Sequence, residues 1–459
     1  MTLATDPLLA PLPTDRPRVE RVARIPAGFV AAGTTAGIKV SGRPDFALVA
    51  AEDGPVPAAA VFTPNRFAAA PVRLSRANLQ ATGGSPAAAG YARAVIATSG
   101  SANAATGPAG DADQAAIGEA VAAALGASPS AVLHMSTGII GTRLPLDKVT
   151  AAIARVADGG LTGTDEALAA AAVALRTTDT TAKAATVTVA LPAADGGAPV
   201  NVTVTGIAKG VGMIHPRMAT MLSIVLTDAA ADPATVHALL RGAAARTWNQ
   251  LSVDGDTSTN DTVLALASGR SGAANAGADP AARAALGAAI EAVARDLARQ
   301  QAADGEGATA LITCQISGAA DDADARAIAR AVIASSLVKA AVHGRDPNWG
   351  RIAGAAGNAT LAEAAVLEAG GMPAADAAAR AGTPARVDPA RLRFAIAGHL
   401  AYDGASGGPV PVDKAAARAA MAGDEVLIRL DLGLGDGTGE AFGCDLTEAY
   451  VRENSEYTT

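Results

Sequence analysis

The chain has 459 residues, of which 50% are hydrophobic and only 3% aromatic, and its formal net charge is −8. This length suffices for two or three core-bearing units, whose cores must be built from alanine, valine, leucine and isoleucine. The acidic balance and the absence of a lysine and arginine cluster exclude nucleic acid as an expected partner. Because no apolar run reaches the ~18 residues that span a bilayer and no signal pattern opens the chain, we expect a cytoplasmic protein without a membrane partner.

The first half of the chain mixes strand and helix patterns. Residues 1–24 are rich in proline with mixed charge, and we predict a loose, disordered tail there. Short apolar runs between glycine and proline turns predict strands over residues 25–99. Caps and helical spacing predict helices over 111–126, 145–157 and 164–176. Alternation in ATVTVAL and NVTVTGIA then predicts a hairpin that leads into a glycine-rich loop.

The second half continues with an apolar strand over 221–227 and a helix over 233–247. Two alanine-rich helical patterns, 280–303 and 321–342, bracket the strand-like run LITCQIS. A small strand-rich unit follows and closes the chain. Sheets and long helices that mix without a strict βαβ repeat predict an α/β layered architecture with a smaller C-terminal α/β unit.

The cysteines and the clustered carboxylates lack the spacing of a metal site. Cys314 and Cys444 lie in strand-like runs without a CxxC spacing, so we expect buried, reduced thiols. The loop SVDGDTSTND contains Asp254, Asp256 and Asp261, but the spacing and closing glutamate of a calcium loop are absent. We therefore predict no metal site, and we interpret this loop as a hydrogen-bonded structure near the active site.

A glycine-rich loop, KGVGMIHPRMA, leads into the apolar strand that starts at Met221. Thr220 lies at that junction, directly after the small Ala219. A threonine hydroxyl placed there can attack the preceding carbonyl, shift the acyl group from nitrogen to oxygen and, after hydrolysis, leave a new chain N-terminus. The released α-amine titrates near pH ~8 and can serve as the base for its own hydroxyl. The alternative interpretation is a glycine-rich turn before a core strand.

Seven sequence blocks distributed over the chain favour the first of these interpretations, cleavage before Thr220. Together they resemble, in order, the glutamate N-acetyltransferase (ornithine acetyltransferase) family of arginine biosynthesis, whose members cut themselves before the threonine of an ATML-like motif. The blocks are STGIIG (136–141), TTDT (177–180), KGVGMIHPRMATML (209–222), SVDGDTSTND (252–261), DGEGAT (304–309), DPNWGRI (346–352) and YVRENSEYTT (450–459). The resemblance extends from about residue 26 to the last residue, with departures at Ala105 and Ala310.

The resemblance implies a set of site residues. The Thr137 hydroxyl and the Gly138 N–H would stabilise the oxyanion, in a turn that can aim both donors at one oxygen. Lys209 can hold a substrate carboxylate or lower the pKa of the new amine by like charge. Glu306 suits ornithine, whose ammonium groups can pair with a carboxylate. The implied substrate contacts are Thr177 or Thr178, Lys209, Thr220, Glu306, Asn454 and Thr459.

We therefore predict a self-processing acetyltransferase that moves acetyl from N-acetylornithine to glutamate through an acetyl ester on Thr220, in two ping-pong steps. Cleavage would leave residues 25–219 in an alpha chain and 220–459 in a beta chain, and the resemblance implies a heterotetramer of two copies of each. It also implies a layered sandwich of the N-terminal-nucleophile-like type. No cofactor is expected, while acetyl-CoA is a candidate co-substrate whose use the residues leave open.

Two other functions fit part of the pattern. An N-terminal-nucleophile aminopeptidase or amidase would use the same threonine with water in place of the glutamate acceptor. An inactive binding or regulatory relative would require the loss of Thr220 or of its oxyanion donors. The presence of these residues argues against the inactive relative.

Overall fold

A computed structural model describes residue 8 and residues 16–83, 88–215 and 221–455. In chain order, the strands within these ranges are β1 (Phe29–Thr34), β2 (Phe46–Ala51), β3 (Val56–Phe62), β4 (Ala89–Ala92), β5 (Ala94–Ser101), β6 (Val132–Ile139), β7 (Lys183–Leu191), β8 (Val200–Lys209), β9 (Leu222–Thr227), β10 (Leu251–Ser252), β11 (Thr262–Ala267), β12 (Leu311–Ala319), β13 (Arg393–Ile396), β14 (His399–Asp403), β15 (Gly408–Pro409), β16 (Glu425–Asp431) and β17 (Gly437–Cys444). The helices are α1 (Ala70–Gly83), α2 (Gly107–Leu125), α3 (Leu146–Ala157), α4 (Asp165–Leu175), α5 (Pro233–Arg246), α6 (Pro280–Ala303), α7 (Asp322–Ala334), α8 (Ser336–His343), α9 (Trp349–Gly357), α10 (Ala364–Ala369), α11 (Ala374–Arg380), α12 (Lys414–Ala420) and α13 (Glu448–Ser455).

The strands form three mixed sheets. A four-stranded sheet has the order β1-β2-β5-β6, and a six-stranded sheet has the order β4-β3-β11-β9-β8-β7. A seven-stranded sheet has the order β10-β17-β12-β16-β13-β14-β15. Each sheet contains one or two parallel pairs among antiparallel ones, such as β5 with β6 and β9 with β11.

The four- and six-stranded sheets are stacked, with helices between and outside them. Apolar side chains of α1 and α4 pack with residues of both sheets, so these helices fill the space between the sheets. Helices α2 and α3 cover the outer face of the four-stranded sheet, and α5 and α6 cover that of the six-stranded sheet. Because β2, β9 and β11 are covered on both faces, every one of their residues is buried, and most of these residues are apolar.

The two outer helices of the six-stranded sheet start at aspartate caps. The carboxylate of Asp232 accepts the Thr235 N–H at 2.8 Å, and that of Asp279 accepts the Ala282 N–H at 2.8 Å. A proline follows each cap at the first helical position, where its missing N–H is not needed. These signals fix the start of α6, whose bounds match the helix predicted over 280–303.

The seven-stranded sheet and helices α7 to α9 enclose a separate apolar core, which forms the smaller C-terminal unit. The predicted α/β layered architecture with a smaller C-terminal α/β unit is therefore confirmed. Cys314 and Cys444 are both buried and not joined in a disulfide, and burial raises the pKa of both thiols. Among the helices given above, none is long and apolar enough to cross a membrane.

Three predicted elements need correction. The helix predicted over 321–342 is two helices, because the Ser335 side chain accepts the Val338 N–H at 3.3 Å and starts α8. Helix α1 lies where only strands were predicted; Pro71 in its first turn and its many polar residues obscure the helical period. Helix α2 starts at Gly107 rather than at residue 111.

Residues 16–24 of the predicted loose tail form contacts with the rest of the protein. Glu20 exchanges two backbone hydrogen bonds with Thr186 of β7, at 2.9 and 2.8 Å. Arg21 pairs with Asp296 of α6 at 3.0 Å. Arg16 also pairs with Glu440 of β17 at 2.7 Å. The prediction of disorder is thus corrected for residues 16–24.

Candidate active site

Strand ends from both stacked sheets meet at one edge. Strand β8 ends at Lys209, which lies opposite Leu222 at the start of the antiparallel β9. The parallel β11 brings Thr262 opposite Leu222 from the other side. From the four-stranded sheet, β6 reaches this edge with Thr137 close to its end. The topology therefore collects residues from distant parts of the chain at one place.

These strand ends surround a cavity of about 400 Å³. Seven of the residues predicted for the site line it: Thr137, Gly138, Thr177, Thr178, Lys209, Glu306 and Asn454. Met221, the residue that follows Thr220 in the chain, is also part of the wall. Ala219, Thr220 and Thr459 lie outside the described residues.

Thr137 and Lys209 contact each other across the cavity floor. The Lys209 ammonium donates a hydrogen bond to Thr137 Oγ1 at 3.1 Å, and both residues are buried. Because the hydroxyl oxygen accepts this bond, its hydrogen remains available for a further acceptor. The pair can thus present one hydroxyl donor and one positive charge to an oxygen that becomes negative.

Gly138 could not be replaced by a larger residue in this arrangement. Its φ is +131°, which L side chains rarely adopt, and a Cβ added to it would lie 2.4 Å from the carbonyl carbon of Gly100 on β5. The end of β6 therefore packs directly on the β5 backbone. This close approach fixes the neighbouring Thr137.

Lys209 is a buried cation surrounded by charges of both signs. Burial lowers its pKa, the Asp179 carboxylate opposes that shift, and the Lys183 ammonium adds to it. Glu306 and Asp261 also favour the charged form. The local carboxylates therefore oppose the loss of positive charge that burial favours, although the pKa of Lys209 remains below its ordinary value.

Glu306 is held by two donors on the opposite wall. Thr178 Oγ1 donates to one carboxylate oxygen at 2.8 Å, and Asn454 Nδ2 donates to the other at 2.9 Å. A Cβ on Gly212 would lie 2.3 Å from this carboxylate, so a larger residue there would displace the Glu306 carboxylate. Each oxygen keeps lone pairs for a further donor, so the group can pair with an ammonium of a bound amino acid.

Of the two candidate threonines in TTDT, the Thr178 hydroxyl contacts Glu306. Thr177 uses its backbone N–H, which donates to Asp179 at 3.1 Å. Both residues line the cavity, so both stay predicted substrate contacts.

The loop SVDGDTSTND contributes residues that the sequence did not assign to the site. Asn260 Nδ2 donates to the carbonyls of Ala102 and Ser136, at 2.6 and 2.8 Å, and so joins the two sheets beside the cavity. Asp261 is fully buried, and burial raises its pKa well above the ordinary value. The predicted hydrogen-bonded loop near the site is therefore found. Across the described ranges, no group of three or more His, Cys, Asp or Glu side chains could hold a metal ion.

Comparison with known proteins identifies the family. A sequence model of the ArgJ family matches residues 30–459. The chain belongs to the ArgJ family. As an ArgJ member it is an acetyltransferase of arginine biosynthesis, and the predicted enzyme class, glutamate N-acetyltransferase or ornithine acetyltransferase, is confirmed.

Similar ArgJ proteins cover nearly the whole chain. The arginine biosynthesis bifunctional protein ArgJ of Thermosynechococcus vestitus is 44% identical, over 94% of this chain and 96% of its own. That of Thermus thermophilus is 41% identical, over 95% of this chain and 99% of its own. A crystal structure of ornithine acetyltransferase from Mycobacterium tuberculosis, solved with ornithine, is 42% identical over 43% of this chain and 97% of that chain, with a TM-score of 0.37.

Proposed function

We propose that the enzyme transfers acetyl from N-acetylornithine to glutamate through a covalent acetyl ester on Thr220, in two ping-pong steps. One observation carries this proposal: the Lys209–Thr137 contact, Glu306 and Met221 all border the same cavity. An acyl transfer needs a nucleophile, an oxyanion site and a substrate contact within a few ångströms of one another. Met221, which lines the cavity, directly follows the proposed nucleophile Thr220 in the chain.

Self-cleavage between Ala219 and Thr220 would supply both nucleophile and base. The Thr220 hydroxyl attacks the acetyl carbonyl while its α-amine takes the hydroxyl proton. The proton then passes to the ornithine nitrogen as the carbon–nitrogen bond breaks. This leaves an acetyl ester and free ornithine, and the amine of glutamate reverses the sequence in the second step.

The oxyanion formed in each step would be stabilised by Thr137 and Gly138. The Thr137 hydroxyl is oriented by the hydrogen bond that it accepts from Lys209, which adds a nearby positive charge. Groups held in place before the reaction stabilise the developing charge without reorganising. For substrate binding, Glu306 would pair with an ammonium group and Lys209 with a carboxylate, with Thr177, Thr178, Asn454 and Thr459 as further contacts.

We extend this proposal to three finer properties. Acetyl-CoA acts as a second acetyl donor, as the word bifunctional in the names of the relatives suggests. The fragments of 219 and 240 residues remain together because Lys209 of one pairs with β9 of the other, and two copies of each form a heterotetramer. The enzyme works in the cytoplasm.

A donor assay with and without glutamate tests this function. With N-acetylornithine alone, we expect a burst of one ornithine per active site and then a slow phase; with glutamate, ornithine and N-acetylglutamate form continuously in equal amounts. Continuous release of ornithine and acetate without glutamate would instead identify an amidase. Acetyl-CoA in place of N-acetylornithine tests the second donor.

A further inference from the structure

Lys183 is a fully buried cation behind the cavity, and the mechanism above does not use it. Its ammonium donates to Asp179 Oδ1 at 2.8 Å, to Asp304 Oδ2 at 2.6 Å and to the Thr181 carbonyl at 3.3 Å. Three acceptors satisfy the three donors of an ammonium. Because buried charges are stable only when paired, Lys183 and the two carboxylates form one unit.

Each carboxylate of this unit also holds a segment that lines the cavity. Asp179 accepts the backbone N–H of Gly210 at 2.8 Å and that of Thr177 at 3.1 Å. Asp304 accepts the N–H of Thr180 at 3.1 Å. The unit therefore connects the segment after α4, the end of β8 and the segment after α6.

We propose that Lys183 is a positioning residue for acetyl transfer, which sets the places of Thr178, Glu306 and Lys209 without touching the substrate. Lys209 adjoins Gly210 and Thr178 adjoins Thr177, two residues whose backbone N–H groups the unit binds. Glu306 lies two positions after Asp304, which is itself part of the unit. The inference rests on the substrate roles proposed above. Lys183 and Asp304 lie on opposite sides of the proposed cleavage point, so their ion pair would also join the two fragments.

Removing the ammonium would change the charges behind the cavity. Asp179, which is buried, and Asp304, which is half-buried, would remain as two carboxylates without their common partner. Two such groups repel each other, and each gains from moving towards the nearest remaining cation. Since the Lys209 charge already acts on Asp179, we expect Lys209 to be drawn away from Thr137.

The test compares acetyl transfer from N-acetylornithine to glutamate by the full-length wild-type enzyme and by Lys183→Met. We expect kcat/KM for N-acetylornithine to fall about a hundredfold, the size of effect that displaced positioning groups produce. Most of this loss should be a higher KM, because Glu306 and Thr178 lose their places. Asp304→Asn removes one charge and keeps the side-chain shape, and we expect a smaller rise in KM. This second variant decides the question if Lys183→Met does not fold.

Lys339→Met is the matched control. Lys339 is also buried, but its ammonium donates to the backbone carbonyls of Ser252 and Cys444. We expect this variant to lower thermal stability and leave KM unchanged. If Lys183→Met and Asp304→Asn behave in the same way, with lower stability and unchanged KM, Lys183 is purely structural and the inference is overturned. A wild-type enzyme that transfers no acetyl would overturn the proposed function itself, which distinguishes the two failures.

Discussion

The ammonium of Lys209 donates a hydrogen bond to the hydroxyl oxygen of Thr137 at 3.1 Å, from the end of one sheet to the end of the other. Lys209 ends β8 of the six-stranded sheet, and Thr137 lies near the end of β6 of the four-stranded sheet. The contact orients the hydroxyl and places a charge beside it. The stacking of the two sheets is therefore what creates the proposed oxyanion site.

Thr137→Val removes the hydroxyl and retains nearly the same shape. We expect acetyl-ester formation to slow about a hundredfold, equivalent to ~3 kcal/mol, because one oxyanion donor is lost. Substrate affinity should change little. Rapid-quench measurement of ornithine release checks this, with Thr186→Val as a control in which a buried hydroxyl on β7 is lost away from the cavity. Equal rates for Thr137→Val and the control would remove Thr137 from the mechanism.

Gly138→Ala tests the close approach of β6 to β5. A positive φ alone costs a non-glycine residue about 1–3 kcal/mol, and at Gly138 the new Cβ would also collide with the Gly100 backbone. Gly141→Ala is the matched control, since Gly141 has φ +87° but nothing within 4 Å of the added Cβ. We expect Gly138→Ala to lower the melting temperature much more than Gly141→Ala and to abolish transfer. Similar melting temperatures would show that the collision is relieved at little cost.

The burial of His134 leads us to expect that the protein loses stability in acid. His134 is fully buried on β6, and burial lowers its pKa to about 3. The unfolded chain takes up a proton at this residue below about pH 6.5 while the folded protein does not, so stability falls as pH decreases from 6.5 towards 3. Between pH 7 and about pH 4.5 this amounts to about 3 kcal/mol. Urea unfolding of wild type and His134→Gln at both pH values checks it, and an equal pH dependence in the two proteins would contradict the assignment.

Local sequence patterns predicted much of the fold because caps and periodicity act within a few residues. The Asp279 cap and Pro280 mark the start of α6, and the alternation in β7 and β8 marks the hairpin. The patterns failed where a polar residue inside an apparent helix acts as a cap, as Ser335 does between α7 and α8. They also failed at α1, where an early proline obscures the period.

Local patterns were also insufficient for the site, where some contacts join residues that are far apart in the chain. Motif resemblance predicted Thr137, Lys209 and Glu306 as site residues, because each lies within a recognisable block. All three line the cavity. The pairing of Lys183 with Asp304 spans 121 positions, and no local pattern connects them. Only the packing of β7 against the segment after α6 brings the two charges together.

The central claim is that residue 220 carries the acetyl group, and mapping the trapped intermediate tests it most directly. The wild-type enzyme and Thr220→Ser are incubated with N-acetylornithine without glutamate, quenched in acid and analysed by peptide mass spectrometry. Serine keeps the hydroxyl and the α-amine, so we expect slower cleavage and an acetyl ester on residue 220 in both proteins, at the start of the 240-residue fragment. Added glutamate should remove that ester as N-acetylglutamate. Acetyl on Lys209 or on any other serine or threonine, or full transfer by an uncleaved chain, would contradict the account.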